Sequence, residues 1–389
     1  MILISILVLG VLIFVHELGH FLLAKWNGVG VVEFAIGFGK PLWQRRYGET
    51  VYSIRLIPLG GYVRMVGDDP RALAGVADGS SSEEGARAES ALTGSEISVD
   101  PALLADRSRW FLSKGYWPKF SIVFAGPAFN LIFAVGAAIA SFALFGRDVP
   151  LEGPAIGAVV PAYPAEKAGL KPGDIVRSID GVPVSTLVEL AERVAGSGGR
   201  EMAFVVERGG EESGAKEEVQ LRITGTSDAA ELAMLDSDPQ PATPRYKIGI
   251  VPGTKREPVE FFTAIKAGFI HVAYLSELTL KGLWGMVQGA ISPRHIGGPI
   301  FIFKEAAQSA QRGAPDLIGF MVFLSVSLAI LNLLPIPILD GGHLVFFTIE
   351  ALKGSPVSLR FQERANQIGM ALLLLLMVFA MGNDILKLL

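Results

Sequence analysis

The stretch from Met1 to Trp26, MILISILVLGVLIFVHELGHFLLAKW, decides how the rest of the chain is read. Fifteen residues without charge lead into His16-Glu17-Leu18-Gly19-His20, and apolar residues resume after it. At ~1.5 Å per helical residue, Ile2 to Leu23 covers about 32 Å, the thickness of a bilayer's hydrocarbon core. The stretch therefore reads as a membrane-spanning helix (residues 1–26). Ionisable side chains within such a helix are expensive to bury, and they mark a functional site.

Their spacing indicates the chemistry. Residues four apart share a helix face, so His16 and His20 can aim imidazole nitrogens at one ion. Glu17 lies beside them, placed to take a proton from a metal-bound water. This is the HExxH arrangement of zinc hydrolases, with two ligands and a general base. Zinc lowers the pKa of its bound water to ~7, which makes hydroxide available at neutral pH. The competing reading is a pair of helix histidines satisfied by polar neighbours. It leaves three expensive side chains at ligand spacing without a purpose.

Outward from the first span lie three more apolar runs. Phe120 to Phe145, read with its flank as 119–145, is a second span, interrupted by Gly126-Pro127 and rich in small residues suited to close helix packing. Leu317 to Leu334, ending in Pro335, is a third (317–335). Ile368 to Met381, IGMALLLLLMVFAM, lies in a fourth (366–382). The 259–290 segment is apolar but carries Lys266, His271, Glu277 and Lys281, so it reads as an amphipathic helix on the membrane surface. A fifth span is the alternative there.

Composition agrees with this mixture. The 389 residues are 50% hydrophobic, with mean hydropathy +0.44, which calls for several spans plus aqueous domains. A net charge of −4 offers no basic excess for nucleic acid. There is no cysteine, so disulfides and thiolate ligands are excluded, and a zinc ion must use histidine and carboxylate. The first apolar run is too long for a cleavable leader, and no basic segment precedes it.

Lysine and arginine set the expected orientation. Lys25, Lys40, Arg45, Arg46, Arg55 and Arg64 follow the first span; Arg107, Arg109, Lys114 and Lys119 precede the second; Lys353, Arg360 and Arg364 precede the fourth. These loops are expected in the cytoplasm, with both termini and the 146–316 region on the opposite side. The HExxH then sits nearer the cytoplasmic face.

The 27–67 region reads as short strands with glycine-rich turns, a membrane-associated β region: Gly37-Phe38-Gly39, Thr50 to Leu56, and Pro58 to Val63 with Gly60, Gly61 and Tyr62. Either an open strand edge there pairs with an extended peptide, or the hairpin only packs the fold. The 68–108 segment, with SSSEEGARAES at its centre, reads as a flexible cytoplasmic loop. Residues 148–226 read as a soluble α+β domain of short strands and helices. It resembles a PDZ domain through AEKAGLKPGDIVRSIDGVPV, residues 165–184, which implies a possible peptide ligand. The 227–258 segment reads as a polar linker.

A catalytic zinc takes three protein ligands and keeps one open position. The end of the third span, NLLPIPILDGGH (residues 332–343), offers Asp340 as its only carboxylate at the expected depth of His16 and His20, and Asp340 is taken as the third ligand. His343 is the rival ligand, and Asp340 could instead be an ordinary helix cap.

Together, HELGH, Gly61-Tyr62-Val63, FAGPAFN (residues 124–130), the PDZ-like insert and NLLPIPILDGGH resemble the site-2 protease family of intramembrane metalloproteases, above all its bacterial regulator-of-sigma-E members. The resemblance covers nearly the whole chain. It implies a polytopic α-helical protein of the bacterial inner membrane, with four transmembrane helices, a β hairpin region on the cytoplasmic side and an inserted periplasmic PDZ-like domain. It implies that His16, His20 and Asp340 hold Zn2+ and that Glu17 activates water. Asn332 and Asn130 would stand near the substrate, and the β region with Gly60, Gly61 and Tyr62 would pair with a substrate strand. Implied substrates are a membrane-spanning anti-sigma factor, already trimmed, and remnant signal peptides. Two departures stand out: one PDZ-like domain where the best-known members carry two in tandem, and the 68–106 insertion. Two other readings remain open. One is a membrane-anchored PDZ adaptor without catalysis; the other is a zinc peptidase that cuts soluble unfolded proteins at the cytosolic face.

Overall fold

A computed structural model describes residues 2–68, 101–160, 162–209, 216–227, 246–291 and 297–386. Most of the expected 68–108 loop, and the 228–245 part of the expected linker, lie outside the described residues. Among the described residues, four helices are long and apolar enough to cross a membrane: α1 (Ile2–Trp26), α2 (Tyr116–Phe145), and two near the C-terminus that are introduced below. The chain is a polytopic membrane protein with β sheets added. Its contacts divide it into two units, one of residues 1–141, 265–280 and 294–389, the other of 142–264 and 281–293.

In the first unit, α1 and α2 approach closely at Gly19 and Ala125. A Cβ on Gly19 would lie 2.4 Å from the Ala125 carbonyl oxygen, so glycine is what permits this approach. Helix α3 (Phe261–Val287) carries Lys266, Glu277 and Lys281 and is not among the four. The others are α4 (Pro299–Arg312), α5 (Ala314–Asn332), α6 (Asp340–Lys353) and α7 (Leu359–Leu386), of which α5 and α7 complete the four. Helix α7 runs well past its apolar core at both ends. Val8 and Leu12 of α1 bury against Ala306 of α4 and against Phe320 and Leu324 of α5. Ala24, Ile122, Val123, Leu344 and Phe347 join the end of α1 to α2 and α6.

Strands β1 (Val31–Tyr47) and β2 (Thr50–Met65) pair antiparallel, but their register shows that each folds into two segments. Glu33 to Ile36 face Arg64 to Gly61 on one side, with the numbers running oppositely. On the other side they face Val51 to Ile54, with the numbers running together. Arg46 to Trp43 cover the far side of Val51 to Ile54. The 31–36 segment is therefore internal, and the 61–65 segment is left at the rim with one strand neighbour among the described residues. The reversal in β1 uses Gly37 (φ +92) and Gly39 (φ +82), in the left-handed region that suits glycine.

In the second unit an antiparallel sheet runs in the order Val182–Pro183, Ile175–Ile179, Glu201–Arg208, Glu217–Thr224. Asp180 (φ 53) and Gly181 (φ 76) form the tight hairpin turn, both in left-handed conformation. Helix Leu187–Ala195 is capped by Thr186, whose hydroxyl accepts from the Glu189 amide at 3.1 Å. Ile156, Val176, Leu190, Met202, Phe204 and Ile223 fill the core.

The expected 227–258 linker needs correction at its C-terminal part. Ile250–Pro252 pairs with Ile156–Val159, and Thr254–Glu257 pairs with Arg147–Pro150. These strands are short and broken by Gly249, Pro252 and Gly253, so they carry no alternation long enough to read.

Candidate metal centre

His16 and His20 lie one turn apart on α1, and their Nε2 atoms stand 3.2 Å apart. Oδ2 of Asp340 lies 3.2 Å from His16 Nε2 and 3.6 Å from His20 Nε2. Among the described residues, these three form the one group of His, Asp or Glu that could hold an ion together. His343 does not join it. Its ring packs 6.4 Å from those of Phe346 and Phe347, and burial pushes its pKa down.

The convergence fits a cation. Oδ2 of Asp340 is buried without a hydrogen-bond partner, and two ring nitrogens face it at 3.2 and 3.6 Å. Burial alone would raise the Asp340 carboxyl, but the neighbouring histidines outweigh it and hold the pKa well below the ordinary value. Two imidazoles and a carboxylate, with no thiolate in the chain, are a donor set suited to zinc.

Three elements build this point. On α2, Ile122, Gly126 and Asn130 recur every fourth residue and so share one face. The Ile122 carbonyl accepts from His20 Nδ1 at 2.8 Å, and the Asn130 amide lies 3.2 Å from His16 Nδ1. Between them Gly126 leaves the rings their room, since a Cβ there would lie 2.3 Å from His20 Nε2 and 2.7 Å from His16 Cε1. Asp340 opens α6, where the helix N-terminus favours a negative charge. The loop before it is tight: a Cβ on Gly341 would lie 2.2 Å from the Leu334 oxygen, and one on Gly342 2.4 Å from the Ile336 oxygen. Ile338, two residues before Asp340, is held at φ 82, a strained conformation for a β-branched residue.

A cavity of about 890 Å³ opens beside these groups, lined by His16, Glu17, His20, Asp340, Gly61 and Tyr62, among others. A Cβ on Gly61 would lie 3.0 Å from Cγ of Glu17, so the rim of β2 passes directly alongside it. Behind that rim, Glu33 is fully buried, receives Arg55 at 2.5 Å and accepts from the Tyr62 hydroxyl at 2.9 Å. The pair ties Tyr62 to the internal segment of β1.

The other expected site residues fall elsewhere. Gly60 (φ +131) turns β2 against Phe38 and does not line the cavity. Asn332 is the half-buried last residue of α5, away from the lining. Asn130 is fully buried on the far side of His16. Sequence reading did not find the part played by Gly126. The only signal was a Gly-Pro pair inside an apolar span, which reads as a packing feature.

A family model described as Peptidase family M50 matches residues 4–376. The chain belongs to peptidase family M50. Zinc metalloproteases named RasP are its relatives in Geobacillus kaustophilus, 31% identical over 98% of this chain and 97% of theirs, and in Oceanobacillus iheyensis, 30% identical over 98% of each. A protein of Brucella suis biovar 1 is 34% identical over 97% of this chain and 93% of its own. As a member of M50, the site-2 proteases, the chain is a zinc-dependent intramembrane metalloprotease.

Proposed function

We propose that His16, His20 and Asp340 hold the zinc of this M50 protease and that Glu17 is its general base. One observation carries the reading: three ligand atoms converge at one wall of a cavity whose next lining group is Glu17. When bound, zinc makes a water acidic enough to yield its proton near neutral pH. Glu17 is placed to accept that proton and pass it to the departing amine. The substrate enters as an extended strand along Gly61, Tyr62 and Val63, because a peptide bond inside a helix is shielded and its carbonyl already engaged. The substrates are membrane-spanning proteins such as a trimmed anti-sigma factor, and remnant signal peptides.

The distribution of lysine and arginine supports a multi-pass protein of the bacterial inner membrane with both termini and the 146–316 region in the periplasm. The PDZ-like domain in that region filters substrates by size. Deleting residues 148–226 then lets the enzyme cut untrimmed substrates it formerly ignored; slower cutting of every substrate would point to recruitment instead.

The test of the centre is metal analysis beside cleavage of a membrane substrate. His16→Ala and His20→Ala lose zinc and cleavage together. Glu17→Gln keeps about one zinc per chain and loses roughly 10²–10⁴-fold in turnover. Full activity in Glu17→Gln would refute the general-base role. Cleavage sites mapped only to soluble unfolded proteins would favour the cytosolic-peptidase reading.

A further inference from the structure

Among the described residues, four buried side-chain polar atoms lack a hydrogen-bond partner, and one of them is Oδ1 of Asn130. Asn130 has no exposed surface, and it is not among the residues that line the cavity. Its amide nitrogen faces Nδ1 of His16 at 3.2 Å while its oxygen is left over.

The chemistry of the centre says which atom belongs there. If Nε2 of His16 offers its lone pair to a metal, the neutral ring carries its proton on Nδ1. That N–H can only donate, and an amide nitrogen cannot accept. The two ends of an asparagine amide exchange by a half-turn about one bond and are assigned from their partners. With the oxygen toward His16, the Nδ1–H gains an acceptor and the orphaned oxygen gains a donor. His20 already has the equivalent bond, from Nδ1–H to the Ile122 carbonyl. The turn that carries Asn130 is itself held in place. Ser325 of α5, also without exposed surface, donates its hydroxyl to the Asn130 main-chain oxygen at 2.7 Å.

We propose that Asn130 is the positioning residue of His16: its side-chain oxygen accepts the Nδ1–H and commits Nε2 to the zinc, so that α2 orients both histidines. This rests on the ligand set proposed above, and it separates Asn130 from any contact with substrate. Supporting acceptors of this kind change metal affinity by ~10–100-fold when removed.

The experiment is zinc affinity by competition with a chromophoric chelator, on the full-length protein in detergent, beside steady-state cleavage. Asn130→Ala is expected to bind zinc about 10–100-fold more weakly. Asn130→Asp keeps an acceptor at the same place and is expected to hold zinc within a few-fold of the parent. Melting with excess chelator controls for folding: parent and Asn130→Ala should melt together without metal, and the variant should gain less when zinc is restored. Unchanged zinc affinity in Asn130→Ala with a raised KM would overturn the proposal and return Asn130 to the substrate. Equal loss of zinc from the Ala and Asp variants would overturn it too. His16→Ala distinguishes the two levels: if it also keeps zinc, the ligand set has failed, whereas zinc loss in His16→Ala alone refutes only the role of Asn130.

Discussion

Two aspartates with buried carboxylate oxygen, one in each unit of the molecule, have opposite surroundings. Asp174 in the inserted unit is wholly buried and saturated: Oδ1 accepts from Arg208 Nε at 2.8 Å, and Oδ2 accepts from Arg208 Nη2 and the Lys171 amide, each at 2.8 Å. Asp340 in the membrane unit is half-buried, and its buried Oδ2 has no hydrogen-bond partner and faces two histidine nitrogens. Among the described residues, the four unpartnered buried side-chain atoms, on Trp110, Asn130, Asp340 and Asn366, belong to the membrane unit. A carboxylate that serves the fold has its hydrogen bonds completed by the fold. One that serves an ion is left incomplete, since finishing it would close the place the ion needs.

Exchanging each aspartate for asparagine gives the largest contrast. Asp340→Asn should weaken zinc binding by more than about 100-fold, beyond what a supporting residue contributes, and abolish cleavage while the membrane helices stay folded. Asp174→Asn should leave zinc content unchanged and destabilise the insert by roughly 2–3 kcal/mol, because Arg208 loses its charged partner. Metal analysis and thermal unfolding read the two separately. If Asp340→Asn keeps zinc while His343→Ala loses it, the contrast has been drawn at the wrong residue.

The glycines sharpen the comparison at smaller scale. Gly126→Ala pushes a methyl group into both histidine rings and should cost zinc affinity roughly tenfold or more. Gly10 and Gly136 lie in the same two helices, with nothing within 4 Å of an added Cβ. Alanine at either should change stability by no more than about 0.5 kcal/mol and leave zinc binding untouched. A Gly126→Ala protein with normal zinc affinity would show that α2 yields to the methyl group, and that the close approach is not what holds the rings.

Some of this is written in single segments of the chain. The four spans are legible because a bilayer demands some twenty apolar residues in a row, and the 120–145 and 317–334 runs supply that in one reading. The pairing of His16 with His20 is legible for the same reason, since a helix brings residues four apart together wherever it sits. The β region was harder. Its residues alternate visibly, yet the internal position of 31–36 and the rim position of 61–65 depend on two reversals that no alternation records. Tyr246 to Glu257 reads as linker because its strands become strands only when Thr226–Ser227, Ile156–Val159 and Arg147–Pro150 lie beside them.

By itself the sequence determined the helix that carries His16, Glu17 and His20, the places of four apolar spans, and a short roster of carboxylates and histidines able to complete a metal site. Each follows from local periodicity, length or composition. Only the tertiary structure decided that Asp340 rather than His343 faces the two histidines, that Gly126 clears space for their rings, and that Asn130 lies behind His16 rather than in the cavity. Those facts depend on how α1, α2 and α6 cross. A crossing is set by which side chains are small enough to let two backbones approach, and that is a property of pairs of helices that neither helix carries alone.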